Sequence, residues 1–341
     1  MYFEKKISVV MPVFNIQIDF LKEAVESILN QSFREFEFII IDDGTTDGSS
    51  QYLESISDPR IRIIRNERNL GITKSLNIGF SNARGKYIAR MDSDDISLPC
   101  RLQEQYNLME RHPEVIVCGS KTGKVGSNHY NLSGKIKMED MEEYRIRMLF
   151  VNPGPFHPTA FFRHEKLLEH HIQYDENLYY AQDYGMWETI SHYGRVCILE
   201  DVLLLRREHE SQISKVHRGR QIQCDQMTQR KLLEQLLDNV SEEGLSFHYK
   251  YSSGYYSNAK ISPRAIQWYG RILAANKERK IYDQKKLVQY IDRIKSRLIG
   301  QTFTRDMSKS MKGRLLFQYL PFSTASKTII RIIKTKACRL L

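Results

Sequence analysis

Residues Phe36–Ser49 read FEFIIIDDGTTDGS. A short, almost unbroken apolar run ends abruptly in two aspartates and a glycine-bearing polar turn. A run of this length without alternation fits a strand buried on both faces. Upstream, ISVVMPVF (Ile7–Phe14) has the same character, and FLKEAVESILNQ lies between the two. That linker places Leu21, Val25 and Ile28 at helical spacing, with Asp19 positioned to cap. Downstream come RIRII (Arg60–Ile64) and GKYIAR (Gly85–Arg90). Apolar strands alternating with helices predict an α/β fold with a mainly parallel central sheet flanked by helices. In such sheets ligands bind beyond the carboxyl ends of the strands. Three candidate strand ends, PVFN (Pro12–Asn15), DDGTTDGS (Asp42–Ser49) and MDSDD (Met91–Asp95), then fall along one edge.

The composition of the 341 residues, 41% hydrophobic and 27% charged, is that of an ordinary globular chain. No apolar run reaches the ~18 residues needed to span a bilayer. MYFEKKISVV has no small-residue cleavage site and reads as the approach to a strand, so a cytosolic protein is expected. Five widely spaced cysteines, with no C-x-x-C pair, suggest neither a disulfide framework nor a zinc site. The net charge of +10 is concentrated at one end. Residues 301–341 hold nine Lys/Arg and one acid, a net +8, and the rest of the chain is near neutral. A basic tail on a neutral body points to an anionic surface rather than to nucleic acid.

RMDSDDISLP (Arg90–Pro99) crowds Asp92, Asp94 and Asp95 into four positions. Like charges this close disfavour one another's ionisation. In an extended segment Asp92 and Asp94 point to the same side, and an oxygen-rich pair suits magnesium or manganese. A solvated turn is the competing reading, because Asp and Ser are common turn residues. Two phosphate-binding signatures fail. No G-x-G-x-x-G follows the first strand, and GSKTGKV (Gly119–Val125) lacks the first glycine and the final Ser/Thr of a P-loop.

Taken together, ISVVMPVFN, FLKEAVESILNQSFREFEFIIIDDGTTDGS and RNLGITKSLNIGFSNARGKYIARMDSDDISLPCRL resemble the family 2 glycosyltransferases over about Ile7–Gly119. NPGPFHPTAFFR, AQDYGMW and LRREHESQIS resemble that family's acceptor-side blocks. The resemblance implies a glycosyltransferase-A fold, a nucleotide-sugar donor (a UDP-sugar), a divalent cation (Mn or Mg) and inversion at the anomeric carbon. Carried over position by position, it implies that Pro12 and Phe14 line the nucleoside pocket, with Asp43 bonding the base and Lys74 near the nucleotide. It puts Asp92 and Ser93 at the donor, with Asp92 facing the ribose or the metal. Asp94 becomes the principal metal ligand and Asp95 a cap for the next segment. Asp183 matches the catalytic base, which takes a proton from the acceptor hydroxyl. The family commonly has Glu-Asp where this chain has Gln182-Asp183. His209 is implied to meet the metal or the diphosphate, Arg206 and Arg207 to pair with phosphates, and His157 to lie in the acceptor region. For Asp42 and Asp43 a strand-end turn, with Asp47 capping the next helix, is a compatible second role.

The expected organisation is a catalytic domain over 1–215, with a nucleotide part at 7–119 and an acceptor part at 120–215. A helical C-terminal region follows over 216–300, in which SFHYKYSSGYYSN (Ser246–Asn258) reads as a connecting loop. A basic amphipathic tail occupies 301–341. In TASKTIIRIIKTKACRLL, Ile329, Ile330, Ile333, Ala337 and Leu340 share a face opposite Lys327, Arg331 and Lys334. This predicts a peripheral helix on the inner face of the cell membrane, with packing on the body or on a second subunit of a homo-oligomer as the alternative. The chain lacks the membrane spans and Q-x-x-R-W motif of the family's processive synthases. The expected activity is therefore hexosyltransferase-type transfer of one sugar to a glycan or lipid-linked oligosaccharide acceptor. A sugar nucleotidyltransferase is the enzymatic alternative, although PVFN stands where its G-x-G-T-R loop belongs. A non-catalytic nucleotide-sugar-binding subunit is the other.

Overall fold

The structure is a computed structural model. It describes residues 3–126, 132–210, 212–252, 261–302, 314, 318 and 319. The strands are β1 (Lys5–Val13), β2 (Phe36–Asp42), β3 (Ile61–Arg65), β4 (Gly85–Arg90), β5 (Ile96–Ser97), β6 (Val115–Lys124), β7 (Ile136–Met138), β8 (Phe161–Arg163) and β9 (Arg195–Arg206). The helices are α1 (Ile18–Leu29), α2 (Ser49–Ser55), α3 (Ile72–Ser81), α4 (Arg101–Arg111), α5 (Met141–Met148) and α6 (His164–Glu169). They continue as α7 (Gln182–Ile190), α8 (Ile213–Val216), α9 (Arg218–Glu234), α10 (Glu242–Ser252), α11 (Pro263–Arg279) and α12 (Gln284–Thr302).

The chain divides into two compact units, Met1–Met141 with Gly154–Asp225, and Glu142–Pro153 with Gln226–Leu341. The first unit is built on one sheet of order β3-β2-β1-β4-β8-β6-β9-β5, with β7 paired to β9. The ladders β1/β2, β2/β3 and β1/β4 are parallel, as the apolar runs predict. All seven positions of β2 are buried, and each buried Ile or Phe stabilises by roughly 1.5–3 kcal/mol relative to exposure. Beyond β4 the sheet becomes mixed. β8 pairs antiparallel with both β4 and β6, β5 and β7 pair antiparallel with β9, and only β6/β9 is parallel. Short antiparallel strands need no crossover helix, which is why the helical spacing of the first half is not repeated there.

Two local expectations are corrected. Asp19 does not cap α1. The helix begins at Ile18 after Gln17, which makes no side-chain cap, and Asp19 sits inside the first turn, where its charge suits the helix N-terminus. Ser246–Ser252 is not a loop, because it forms the body of α10. Gly119–Lys124 lies in strand β6, in keeping with the failed match of GSKTGKV to a P-loop. Cys118 and Cys197 are buried register partners on β6 and β9, and no disulfide occurs among the described residues. None of the described helices is long and apolar enough to cross a membrane. The amphipathic reading of Lys327–Leu341 lies outside the described residues.

In the second unit, Leu245, Tyr249, Trp268, Tyr269, Ile272, Leu287, Ile291 and Leu298 form a helical core. Segment 142–153, placed by sequence with the acceptor part, packs here instead. Tyr144, Ile146, Met148, Leu149 and Phe150 are buried, and the Phe150 carbonyl accepts from Gln229 at 3.0 Å. His248 ties three parts together. Its Nε2 bonds the Leu149 carbonyl at 2.6 Å, and its Nδ1 accepts from Trp268 Nε1 at 2.9 Å. This fixes the neutral tautomer. Burial lowers the imidazole from 6.5 to about 4, with the Leu149 bond countering weakly. A depressed folded value means that the stability His248 contributes is full above pH 6.5 and is lost as the pH falls towards 4. His248→Phe should cost about 2–4 kcal/mol at pH 7 by leaving two buried polar groups unpaired. The Tm gap between variant and parent should narrow at pH 4.5, and a gap independent of pH would contradict this role.

Candidate functional site

The sheet reverses its strand order between β1 and β4, and this is where an α/β sheet opens. The β1/β4 ladder stops at Val10↔Arg90, with one further bond from Met91 N to Val10 O. Pro12, two residues on, faces the same side as Val10, so its missing N–H falls where pairing has already ended. Beyond it Phe14 is 44% exposed, which is unusual for an aromatic next to a buried strand. Asn15 joins this loop to the next by accepting from Thr46 N at 2.8 Å.

The two aspartates after β2 divide their work. Asp42 is a turn residue, fully buried and bonded to Thr45 N, Ser50 and Arg65. Burial alone would raise its carboxyl, but these donors together hold it below the ordinary range. Asp43 accepts from Asn66 Nδ2 and Leu70 N, both at 2.8 Å, and from Gly71 N at 2.9 Å. It thereby fixes the loop entering α3 and keeps acceptor capacity on Oδ2. Gly71 has φ +89°, and Asp47 accepts from Ser49 N at the start of α2. Lys74, in the first turn of α3, is half exposed and stands 3.6 Å from Glu176.

After β4 come the acids. Ligand oxygens of Asp92, Asp94 and Asp95 lie within 4.8 Å of one another. Asp95 is not an exposed cap. It is buried and accepts from Arg207 N at 3.0 Å. Burial, reinforced by Asp92 and Asp94, pushes its carboxyl up to about 8. Burial also raises Asp92, opposed by Arg90 and reinforced by Asp94. Clustered hard oxygens that disfavour one another's ionisation fit a divalent cation, which would remove the repulsion.

The β5/β9 register, Ile96↔Leu205, carries the chain after β9 back past the same acids. His209 Nε2 is 2.9 Å from Asp94 Oδ2. Arg207 donates to the Asp94 carbonyl at 3.0 Å, lies 4.2 Å over the Phe20 ring and pairs with Glu23. Arg206 turns elsewhere, over Phe156 and onto Glu208. Ser93 occupies the turn between the acids and is half-buried.

Two arginines that sequence reasoning missed stand behind this loop. Arg90 is 2% exposed and reaches Asp92 Oδ1 at 2.5 Å, while its Nε and Nη1 have no partner among the described residues. Arg101 is fully buried and bonds Gln105, Met91 Sδ and the Arg90 carbonyl. Burial, then Arg90, lowers it to about 10. An arginine closing an apolar strand, as in GKYIAR, was the available signal.

Asp183 sits in the first turn of α7, and its Oδ1 accepts from Tyr184 N at 2.8 Å. Gln182 beside it is buried. Tyr174 is buried nearby in sequence, ahead of this helix. Burial raises its hydroxyl, Arg90 opposes, and Asp183 and Asp92 both add to the rise. His157 is buried rather than open to an acceptor. It bonds Tyr174 at 2.8 Å, and burial and Arg90 hold it neutral.

Residues 8–172 match the family described as Glycosyl transferase family 2. An uncharacterized glycosyltransferase of Haemophilus influenzae is 32% identical over 246 residues, covering 69% of this chain and 75% of that protein. Among solved structures, S. aureus TarS is similar with TM-score 0.55 at 20% identity, over 87% of this chain, which spans about half (54%) of TarS. Its 1–349 form in complex with UDP-GlcNAc gives 0.52 at 18%, over 94% of this chain and 82% of that one. Mannosyltransferase PcManGT from Pyrobaculum calidifontis, in complex with GDP-Man and Mn2+, gives 0.54 at 16%, over 95% and 87%. At these identities the structures establish the glycosyltransferase-A fold, and the Haemophilus relative establishes kinship: this chain belongs to the family 2 glycosyltransferases.

Proposed function

We propose that the protein is an inverting, metal-dependent glycosyltransferase that moves one sugar from a nucleotide diphosphate donor, a UDP-sugar, to a hydroxyl of a growing cell-surface glycan. The observation that carries this reading is the acidic cluster at the β1/β4 opening, with His209 held across it by the β5/β9 register. The UDP-GlcNAc complex of TarS and the GDP-Man and Mn2+ complex of PcManGT support a nucleotide-sugar and a divalent cation.

Pro12 and Phe14 line the nucleoside, and the free acceptor capacity of Asp43 Oδ2 bonds the base. Lys74 and Arg207 supply positive charge beside the nucleotide, while Asp92 and Ser93 face the ribose and diphosphate. Asp94, with Asp92 and His209, would hold the cation, which when bound neutralises charge on the departing diphosphate. Arg90 keeps Asp92 oriented from below. The acceptor oxygen attacks the anomeric carbon as the bond to the diphosphate oxygen breaks. The acceptor proton passes to Asp183, and attack opposite the leaving group inverts the centre.

Asp183→Asn should lower kcat by roughly a hundred- to ten-thousandfold, the scale of general-base loss, with nucleotide affinity retained. Near-normal transfer would remove Asp183 from this role. EDTA should abolish turnover and weaken donor binding, Mn or Mg should restore both, and Asp94→Ala should resist that rescue. Turnover indifferent to EDTA would overturn the cation assignment. The tail extends the proposal to a membrane surface. Deleting Lys327–Leu341 should release the protein from anionic vesicles, and undiminished sedimentation with them would refute that part.

A further inference from the structure

One ridge of α3 is matched, position by position, to the irregular chain that leads into α7. Gly71, Lys74, Asn77 and Phe80 stand three residues apart, along a single i±3 row. Their partners run in reverse order. The Tyr179 ring fills the place of a Gly71 side chain, where a Cβ would come within 2.1 Å of its Cε2. Lys74 meets Glu176 at 3.6 Å. Asn77 accepts from Tyr174 N at 2.9 Å and donates to Tyr174 O at 3.0 Å, as a paired strand residue would. The Phe80 and Tyr174 rings meet edge-on at 5.3 Å.

Each end of this match is anchored. At the N-terminus of α3, Asp43 holds Leu70, Gly71 and Asn66, and Asn66 also donates to Ser75. At the far end Leu178 lies against Gly185 of α7, where a Cβ would come within 2.4 Å of its Cδ1. Gly185 is two residues from Asp183. An unbroken set of contacts therefore runs from the Asp43 loop, along α3 and the 174–179 stretch, to the helix that carries Asp183.

We infer that Asn77 is a positioning residue for the transfer. It fixes the seat of Tyr174–Ala181 on α3 and so sets where Asp183 stands relative to the donor loops. Its side-chain hydrogen bonds among the described residues go to Tyr174 alone. The inference rests on the reading of Asp183 as the base.

The test is a double-mutant cycle on the full-length protein, with kcat, donor KM and nucleotide Kd measured for Asn77→Ala, Asp183→Asn and the pair. Asn77→Ala should lower kcat by roughly ten- to a hundredfold, the cost of an ångström-scale misplacement, with nucleotide Kd changed by less than about twofold. It should have no further effect on the slow residual transfer of Asp183→Asn, because residues that act as one unit are not additive. Gly185→Ala displaces Leu178 from the α7 side and should reproduce this pattern if Asn77→Ala fails to fold. Equal losses in both backgrounds, or weakened nucleotide binding with kcat retained, would overturn the inference while leaving the base reading intact. Full activity of Asp183→Asn alone would instead remove the base reading and this inference together.

Discussion

Three carboxylates at the end of a buried strand are an electrostatic liability, and the molecule manages it with buried arginines. Arg90 reaches Asp92 from within the sheet, and Arg101 grips the Arg90 carbonyl from α4. Their positive charge does not fully offset the cluster, because burial and mutual repulsion still raise Asp92 and Asp95. The three ligand oxygens that remain close together are of the kind a divalent cation would neutralise. Replacing both arginines by apolar side chains would leave the acids uncompensated, a far larger cost than losing a surface ion pair.

The surrounding architecture brings distant segments to this point. The parallel half of the sheet delivers the loops after β1, β2 and β4 to a common edge. The mixed half then supplies what those loops lack. The antiparallel β5/β9 pair returns the chain after β9 to Asp94 and Asp95, although more than a hundred residues separate them in sequence. Phe20, on α1, serves as a shared floor for Arg207 and His209. The acidic loop after β4 and the segment after β9 thus come from different halves of one sheet and meet at the ends of its strands.

The parallel half was legible because continuous apolar runs of strand length have few other uses. Its acidic loop was legible because three aspartates in four positions stand out against any composition. The buried polar framework was not. Arg90, Arg101, Asn77 and Tyr174 are ordinary residues in sequence, and their meaning comes from partners 2 to 97 positions away. The mixed half escaped for another reason. β5, β7 and β8 have two or three residues each, too few to show a period. α10 does not read as a helix because serines and tyrosines obscure its buried face, which the structure shows as Leu245, His248, Tyr249 and Ser252.

Pro12 carries a broader implication. The opening between β1 and β4 exists because the backbone stops pairing there, and proline at that position cannot restart it. The opening is therefore a feature of main-chain pairing rather than of any one side chain. Phe14, exposed just beyond it, is a position where a side chain can change without touching the sheet. Side chains on these loops can therefore vary without disturbing the sheet that supports them.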